Sequence, residues 1–376
     1  MAALAAIGPF VTDFYLPALP DIQSYFSTTT SRIQLSITFC LVGLAFGQLI
    51  MGPLSDRYGR KKILLISLTL FALSTVACLA SWDIYSFLTF RFIQGIAGSG
   101  GIVVSKSVVA DLFAGKDLAK FFALLGAIQG LAPIIAPVFG GFMLGYTTWH
   151  GIFGILLGFG VMLCISLIFF KESLPRQNRI KGGFLESFTF WHILRNKQFM
   201  LYTITQSFAM GVMFSFIASS SFIFQTYFGL DKFSYSLCFA GAALSITIGA
   251  SLTPLFRREY LALRVGIYGL LCAAMVLCVV LQSNPNVWIA ELSFGVMLVF
   301  VGFILPTSTA LAMEMERSNA GNASAVLGFS FFTFGGILSP LTGIGDDMLF
   351  SVSMVILVCA MCAFIFGNFA TKGLKS

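Results

Sequence analysis

The chain has 376 residues, of which 58% are hydrophobic and only 10% are charged, with a formal net charge of +7. A typical soluble domain carries about 25% charged residues, so too little polar surface remains here to cover a water-soluble globule. The composition therefore predicts an all-α integral membrane protein. The positive charge sits in short loops between apolar runs and forms no basic stripe, so no nucleic-acid partner is expected.

Twelve apolar segments are long enough for membrane-spanning helices, each of which needs about 20 residues. Turn-forming residues such as Asn284-Pro285-Asn286 separate several of them. The predicted spans, in chain order, are residues 2–20, 33–54, 63–80, 84–108, 120–144, 150–170, 199–225, 234–256, 265–282, 286–312, 320–342 and 348–370.

Lysine and arginine occur mainly in alternate loops. The opposite loops hold little beyond Arg32 and Lys232. Loops rich in Lys and Arg face the cytoplasm, so both termini are expected there, with the protein in a plasma membrane, in bacteria the inner membrane. The basic residues that follow the even-numbered spans are Arg57, Arg60, Lys61, Lys62, Lys116, Lys120, Lys171, Arg176, Arg179, Lys181, Arg195, Lys197, Arg257, Arg258, Arg264, Arg317, Lys372 and Lys375.

Residues 171–197 form the single long polar connection. It divides the chain into two six-helix bundles, 1–170 and 198–376. Apolar residues at helical spacing within the connection fit either a short amphipathic helix on the inner membrane surface or an ordinary linker. These residues are Phe184, Leu185, Phe188, Trp191 and Leu194.

The two halves share sequence features at nearly constant spacing. Pro53 and Pro254 follow spans 2 and 8 and are 201 residues apart (254 − 53). Pro137 and Pro340, in spans 5 and 11, are 203 residues apart (340 − 137). Two such echoes indicate duplicated halves, an architecture that transporters use to alternate access to a central site.

Residues 52–62 read GPLSDRYGRKK and closely resemble the loop signature of the major facilitator superfamily. The order of turn glycines, acid and bases is specific, and the position after span 2 matches. Residues 91–95, RFIQG, resemble a second motif of that superfamily. The resemblance covers the whole chain and implies twelve helices in two pseudo-symmetric six-helix bundles.

Residues 131–141, LAPIIAPVFGG, resemble the antiporter motif of the same superfamily, with Ala132 and Ala136 where glycines are usual. Together with TDFYLPALP at residues 12–20, this version is similar to the bicyclomycin-resistance branch of drug:proton antiporters. Residues 214–230 fit that branch more loosely. The resemblance implies proton-coupled efflux of small amphiphilic compounds by alternating access.

Two other functions remain open at this stage. A dedicated exporter or importer of one metabolite, such as a siderophore or an amino-acid derivative, would have the same fold. A membrane sensor or scaffold is a different class, and it would be expected to carry an appended soluble domain. No nucleotide-binding loop or hydrolytic triad is visible, so an ion gradient rather than nucleotide hydrolysis is expected to supply the energy.

The signature after span 2 is expected to form a cytoplasmic gate. Its glycines permit a tight loop. The resemblance implies that Asp56 caps the start of span 11, near residues 318–322, where helix amides favour an anion. The charges also fit a purely topological role. The predicted gate residues are Gly52, Asp56, Arg57, Gly59, Arg60 and Lys61.

Three ionisable residues lie inside predicted spans. Asp13 is placed in the middle of span 1, where a carboxylate is costly unless it is paired, hydrated or neutral, so it is the leading candidate for a proton carrier. Arg91 in span 4 and Glu291 in span 10 are 200 residues apart (291 − 91) and occupy related positions in the repeat. These three are predicted to couple protons, with sodium as the alternative coupling ion. Glu291 is also close enough to the interface to be an ordinary snorkelling residue.

Prolines and glycines of span 5 are expected to form a hinge or a tight seal, because prolines free backbone carbonyls and glycines allow close helix contact. The residues concerned are Pro133, Pro137, Gly140 and Gly141. Aromatic walls with few charges suit amphiphilic ligands. The candidate cavity residues are Phe10, Phe14, Phe87, Gln94, Phe208, Phe214 and Phe294.

No catalytic group, metal site or cofactor is predicted. His150 follows Trp149 at a membrane interface, and no second ligand is placed to build a metal site with it. All eight cysteines lie inside apolar runs, where a free cysteine behaves as a small hydrophobe, so no disulfide is expected. The expected partners are lipid, protons and a small amphiphilic substrate, and the expected state is a monomer.

Overall fold

The computed structural model of the chain describes residues 1–113, 115–175, 177, 179, 190–316, 320–345 and 347–372. The chain separates into two compact units, Met1–Phe188 and Thr189–Ser376. The boundary between the units falls inside the predicted linker. The finer division into 1–170, 171–197 and 198–376 stays a prediction.

The first unit consists of successive helices that are joined by short connections and pack against one another. A short 3-10 turn, Leu16–Ala18, connects the first two. The helices are α1 (Ala2–Asp13), α2 (Leu19–Tyr25), α3 (Thr30–Tyr58), α4 (Arg60–Leu79), α5 (Ile84–Leu112), α6 (Gly115–Met143) and α7 (Trp149–Ser166).

The second unit repeats this plan after one short helix. A six-residue π-helix, Phe222–Tyr227, continues α9, and a 3-10 turn, Ser339–Gly343, follows α13. The helices are α8 (Phe190–Arg195), α9 (Lys197–Ser221), α10 (Lys232–Leu252), α11 (Glu259–Gln282), α12 (Val287–Met315), α13 (Ala320–Leu338) and α14 (Met348–Lys372).

The predicted all-α fold with twelve spans is confirmed. Eleven helices in the described part of the chain are long and apolar enough to cross a membrane, the first running through α1 and α2. The remaining predicted span is α6, in which Leu131–Met143 is an apolar stretch. A four-residue connection, 283–286, separates α11 from α12, where the sequence offered only turn residues as a boundary.

The first span is not the continuous helix that was predicted over residues 2–20. Helix α1 ends at Asp13, and regular helix resumes only at Leu19. The break has a simple cause in Pro17, which has no N–H to donate to the carbonyl of Asp13 four residues earlier and whose ring clashes with that carbonyl. Asp13 therefore lies at a helix end rather than in the middle of a helix.

The predicted loop between spans 2 and 3 is also wrong. Helix α3 continues to Tyr58 and α4 begins at Arg60, so the connection consists of Gly59 alone. Gly59 has φ of 100°, which glycine adopts readily and other residues rarely do. The motif Gly52–Lys62 therefore forms two helix ends that meet at one residue, and Gly52 lies within α3.

The predicted amphipathic helix in the linker falls mostly outside the described residues, which include neither Phe184, Leu185 nor Phe188. Its last part coincides with α8, which contains Trp191 and Leu194. Leu194 is exposed. The choice between an amphipathic helix and an ordinary linker therefore remains open.

Several helices begin at side chains that cap their first turn. Asp83 accepts a hydrogen bond of 2.8 Å from the amide of Ser86 at the start of α5. Asp231 accepts bonds from the amide and the hydroxyl of Ser234 at the start of α10. Hydrogen bonding by Ser86 and Ser234 lowers the pKa of Asp83 and of Asp231. Such caps supply partners for helix amides that otherwise have none.

In each unit, one pair of helices touches backbone to backbone. A Cβ atom on Gly95 of α5 would overlap the carbonyl of Cys40 in α3. In the second unit, Cβ atoms on Gly249 of α10 and Gly302 of α12 would overlap carbonyls of the opposite helix. Close packing of this kind stabilises helix pairs in a bilayer, where lipid supplies no hydrophobic drive for helix association.

Replacing Gly95 with alanine is expected to lower the free energy of unfolding by about 1–3 kcal/mol, because the added methyl group forces α3 and α5 apart. Thermal unfolding in detergent, followed by intrinsic fluorescence, measures the effect. Gly154→Ala is the matched control, since Gly154 is also helical but has no atom within 4 Å of an added Cβ. Equal unfolding midpoints for the two variants would contradict the proposed contact.

Candidate functional site

The strongest candidate site surrounds the break in the first span. Asp13, the last residue of α1, is 4% exposed. The last four carbonyl groups of any helix lack partners within that helix. The bilayer core holds no water to replace those partners, so the protein itself must supply them. The break thus places an acid beside backbone groups that need hydrogen bonds.

Arg91 of α5 supplies one of those hydrogen bonds. Its guanidinium is fully buried, and Nη2 donates to the carbonyl oxygen of Val11 at 2.9 Å. Nη1 donates to Oε1 of Gln94, whose amide nitrogen in turn donates to Thr75 at 2.7 Å. Gln94, predicted to line a cavity, is thus fully buried and anchors Arg91 in this structure.

Tyr15 completes the support on the other side of Asp13. The Arg91 Cζ atom lies 4.3 Å from the centre of the Tyr15 ring, a favourable cation–π distance. The Tyr15 hydroxyl and Ser36 of α3 form a hydrogen bond of 2.9 Å. Val11, two residues before Asp13, is therefore held by α5, and Tyr15, two residues after it, contacts both α5 and α3.

Asp13 and Arg91 both lie in the first unit, but they form no ion pair. The ion pairs Arg60–Asp56, Arg60–Asp111 and Arg179–Glu172 involve neither of them. Arg91 instead uses a carbonyl, an amide and an aromatic ring. Asp13 is therefore a buried acid without a cationic partner in the described part of the chain.

Helix α6 packs directly against the end of α1 at this site. A Cβ atom on Gly140 would overlap the carbonyl oxygen of Phe14, the residue after Asp13. The α6 helix runs on through Pro133 and Pro137, and Gly141 is buried beside Gly140. The small residues of the antiporter motif therefore allow α6 to touch the broken end of α1 directly.

In the second unit, Glu291 lies in the second turn of α12 and is half-buried. Its Oε1 atom is 3.3 Å from the position of a Cβ atom on Gly241 in α10, and its Oε2 atom has no hydrogen-bond partner. Glu291 thus faces α10 within its own unit. Its predicted role in proton coupling stays a prediction.

The two units share one polar contact in mirrored form. Tyr15 of the first span bonds Ser36 of α3, and Ser220 of α9 bonds Tyr235 of α10 at 3.0 Å. All four side chains are fully buried. In the first unit the tyrosine belongs to the first span and the serine to the second. In the second unit the serine belongs to the first span and the tyrosine to the second. This exchange fits a duplication followed by divergence.

The predicted cavity phenylalanines divide into two groups. Phe14, Phe87 and Phe294 are fully buried, and Phe214 is 4% exposed; each packs against other rings of its own unit. Phe10 and Phe208 are half-buried. Their assignment to a substrate cavity stays a prediction.

The predicted gate forms a charged cluster at one end of the first unit, centred on Arg60. Arg60 contacts Asp56 at 2.5 Å and Asp111 of α5 at 3.0 Å. It also donates to the Ser55 hydroxyl at 2.6 Å. Arg57 is half-buried nearby, with its Cζ atom 5.5 Å from the centre of the Tyr58 ring. Arg60 therefore ties the end of α3 to the end of α5.

Residues just after α7 reinforce this cluster. Glu172 Oε1 accepts a 2.9 Å bond from the Arg60 amide, and Oε2 accepts a 3.3 Å bond from the Lys61 amide. Ser173 donates to Asp111 at 2.9 Å. A carboxylate beside the first amides of α4 satisfies two groups that have no helical partner and complements the helix dipole.

The sequence interpretation missed Asp111, Glu172 and Tyr15. Asp111 could have been noticed as an acid near the inner end of a predicted span. The helix-capping role of Glu172 gives no local signal, because the Arg60 and Lys61 amides that it accepts from are more than 100 residues away in the chain. The predicted partner of Asp56, residues 318–322, falls where the structure gives no side-chain description. The described residues contain no group of His, Cys, Asp or Glu suited to a metal ion.

Comparison with known proteins identifies the family. Residues 1–340 match the Major Facilitator Superfamily. The chain belongs to the Major Facilitator Superfamily. Its members are transporters, which agrees with the expectation of a transporter rather than an enzyme.

Two relatives show how the transporter compares along its length. It is 36% identical to the "Uncharacterized MFS-type transporter YdgK" of Bacillus subtilis, over 100% of this chain and 94% of that protein. It is 26% identical to the "Bicyclomycin resistance protein homolog" of Haemophilus influenzae, over 100% of this chain and 96% of that protein. The predicted branch is thus represented among its relatives.

A solved structure supports the same fold. The inward-open xylose transporter XylE from E. coli has a TM-score of 0.75 and 14% identity to this transporter, over 99% of this chain and 94% of XylE. At that identity the likeness concerns the fold alone. It agrees with the all-α architecture of twelve helices described above.

Arg60→Gln and Asp111→Asn are each expected to lower the thermal unfolding midpoint, because each leaves a partner without its hydrogen bonds. The double variant should be little worse than Arg60→Gln alone, with a coupling free energy on the order of 1 kcal/mol or more. Lys62→Gln is the control, since Lys62 is an exposed base on the same helix. Strictly additive losses would argue against the Arg60–Asp111 contact.

Gly140→Ala is expected to yield a folded transporter with transport reduced at least about tenfold, because a 1 Å displacement near the reacting group can have a large effect. The added methyl group would push against the carbonyl of Phe14 beside Asp13. Transport in vesicles is compared with that of Gly154→Ala, which adds the same group where there is space. Equal rates would show that α6 does not position α1.

Proposed function

We propose that this protein exports small amphiphilic compounds in exchange for protons by alternating access. The observation that carries the proposal is Asp13, a buried acid at the break in the first span with no ion-pair partner among the described residues. A carboxylate in a bilayer is stable only when neutral, paired or hydrated. Changes in water access during transport would therefore change whether Asp13 holds a proton.

In this mechanism Arg91 is a positioning residue. It bonds Val11 and contacts Tyr15, and so it fixes the helix ends around Asp13 without neutralising the acid. Gly140 keeps α6 in contact with the same break. A proton and a cationic or polar substrate group would compete for Asp13, which gives exchange. Glu291, with one oxygen lacking a hydrogen bond, is proposed as a second proton-binding group.

The charged cluster around Arg60 is proposed to act as the cytoplasmic gate. It joins α3, α4 and α5 at one end of the first unit. Asp56 is paired to Arg60 yet remains partly exposed, so one of its faces is available for another contact. Loss of such a contact would open the inner side.

The proposed substrates are amphiphilic because the candidate lining is aromatic and because relatives include a protein named for bicyclomycin resistance. Half-buried rings such as Phe10 and Phe208 would give adaptable apolar contacts. A transporter dedicated to one metabolite would share the fold, and the substrate panel described below distinguishes the two.

The proposed orientation places both termini in the cytoplasm of a bacterial cell. Within the first unit, the basic ends of α3 and α4 meet the ends of α5 and α7 through Arg60 and Glu172. Within the second, Arg264 at the start of α11 bonds Thr371 near the end of α14. The basic ends thus converge in each unit, as the positive-inside rule requires. A monomer is proposed, since each unit has its own core.

Substrate-driven proton movement in proteoliposomes tests the proposal. Wild type, Asp13→Asn and Glu291→Gln are compared with lipophilic cations, neutral antibiotics and siderophores, using a pH-sensitive dye trapped inside the vesicles. Wild type is expected to move protons with several amphiphiles, and Asp13→Asn should fall to background because asparagine cannot bind the proton. Asp21→Asn, an acid-to-amide change elsewhere in the first unit, should retain activity.

Each outcome of this assay bears on a different part of the proposal. Proton movement that survives Asp13→Asn but not Glu291→Gln would move the carrier to α12. Movement with a single siderophore or metabolite would replace multidrug export with dedicated transport. No movement with any compound in the panel, from a protein that is correctly folded, would reject proton-coupled export.

A further inference from the structure

The basic residues at the membrane ends of the two units have different surroundings. In the first unit, Arg60 and Arg179 are paired with Asp56, Asp111 and Glu172. In the second unit, the described bases near the start of α11 and the end of α14 have no acid within ion-pair distance. These are Arg257, Arg258, Arg264 and Lys372, named here the α11–α14 basic cluster.

The four bases come from two helix ends that are held together. Arg264 Nε donates to the Thr371 hydroxyl at 3.3 Å, and Nη2 donates to the Thr371 carbonyl at 3.3 Å. Lys372 follows Thr371 directly and is exposed. The start of α11 and the end of α14 therefore form one surface, and Arg257 and Arg258 lie in the short connection directly before α11.

An aromatic ring also organises the cluster. The Cζ atoms of Arg258 and Arg264 each lie 5.9 Å from the centre of the Tyr260 ring. Arg258 also donates to the Tyr260 hydroxyl at 3.5 Å. Two like charges gathered around one ring repel each other unless an anion joins them. Glu259 is the single acid in the first turn of α11 and pairs with none of them.

Exposed apolar side chains lie near these charges in the chain, on α11, on α14 and in the 3-10 turn Thr253–Leu255 that precedes Arg257. Leu255 is 77% exposed, Phe369 is 55% exposed, and Val265 is 40% exposed. Lys372 Nζ lies 5.2 Å from the centre of the Phe369 ring. The surface thus offers cations at the membrane edge and apolar contacts toward the bilayer, which matches a molecule with an anionic head and hydrocarbon tails.

We propose that the α11–α14 basic cluster binds the head group of an acidic phospholipid from the adjacent leaflet. The phosphate contacts Arg258, Arg264 and Lys372, and the acyl chains lie along the exposed apolar residues of α11 and α14. Basic pockets between spanning helices recognise such head groups through charge and geometry. The positive-inside rule explains why the bases face this side. It does not explain why they converge on one ring without acids.

Lipid binding by the purified full-length protein tests the proposal. Detergent-solubilised protein is titrated with dioleoyl phosphatidylglycerol or dioleoyl phosphatidylcholine, and the thermal midpoint and the lipid that co-elutes in gel filtration are measured. Wild type should bind and be stabilised by phosphatidylglycerol. Arg258→Gln/Lys372→Gln should need about tenfold more of that lipid, because each base near an anionic lipid contributes to affinity. Arg264 is left intact because it also holds α14.

Lys62→Gln/Lys171→Gln is the matched control, because it removes two exposed positive charges from the first unit. Its response to phosphatidylglycerol should stay within about twofold of wild type. Three results would overturn the proposal: equal loss in the control, no loss in the cluster variant, or equal stabilisation by phosphatidylcholine. Equal stabilisation by inorganic phosphate in place of the lipid, with the ionic strength held at about 0.15 M, would assign the site to free phosphate instead. None of these readouts depends on transport.

Discussion

Backbone polar groups in a bilayer must be hydrogen-bonded within the protein. Pro17 interrupts the helix of the first span, so backbone groups at the break need partners from other helices. The consequences extend through the first unit. Arg91 crosses from α5 to bond Val11, Tyr15 turns back to Ser36, and α6 approaches the break closely enough that Gly140 cannot carry a side chain. Asp13, which has no ion pair with any described residue, is therefore surrounded by contacts from three neighbouring helices, so the geometry of the site depends on the packing of the whole unit.

The two units pack their helices in similar ways but differ in the partners of their charged residues. Both use glycine to bring a helix pair into backbone contact, and both use a buried tyrosine–serine bond. They differ in how they treat charge at the membrane edge. The first unit neutralises Arg60 with acids from two other segments, whereas the second leaves Arg258 and Lys372 exposed. Duplicated halves can thus retain a common fold while the charged residues at their membrane ends have different partners.

Much of this arrangement could be predicted from the sequence. Long apolar runs identified the spans, because spanning helices have a strong compositional requirement. The motif at residues 52–62 indicated the charged cluster around Arg60, although its helical ends and the single connecting residue Gly59 depend on a backbone angle that no motif specifies. The end of α1 at Asp13 could have been predicted from Pro17, because a proline removes the hydrogen bond to the residue four positions earlier. The capping role of Glu172 could not be predicted, because a carboxylate that caps a helix from over 100 residues away leaves no periodic pattern in the sequence.

The π-helix at Phe222–Tyr227 has a consequence for how relatives are aligned. A π turn contains about one residue more than an α turn, and each residue of an α-helix advances about 100° around its axis. The π-helix ends at Tyr227 and α10 begins only at Lys232, so the change in helical phase is confined to this segment. A helical wheel drawn at about 100° per residue therefore misplaces residues of Phe222–Tyr227 relative to the face they share with α9. In an alignment with a relative whose helix is regular here, a one-residue gap inside the segment keeps residues of the same face paired.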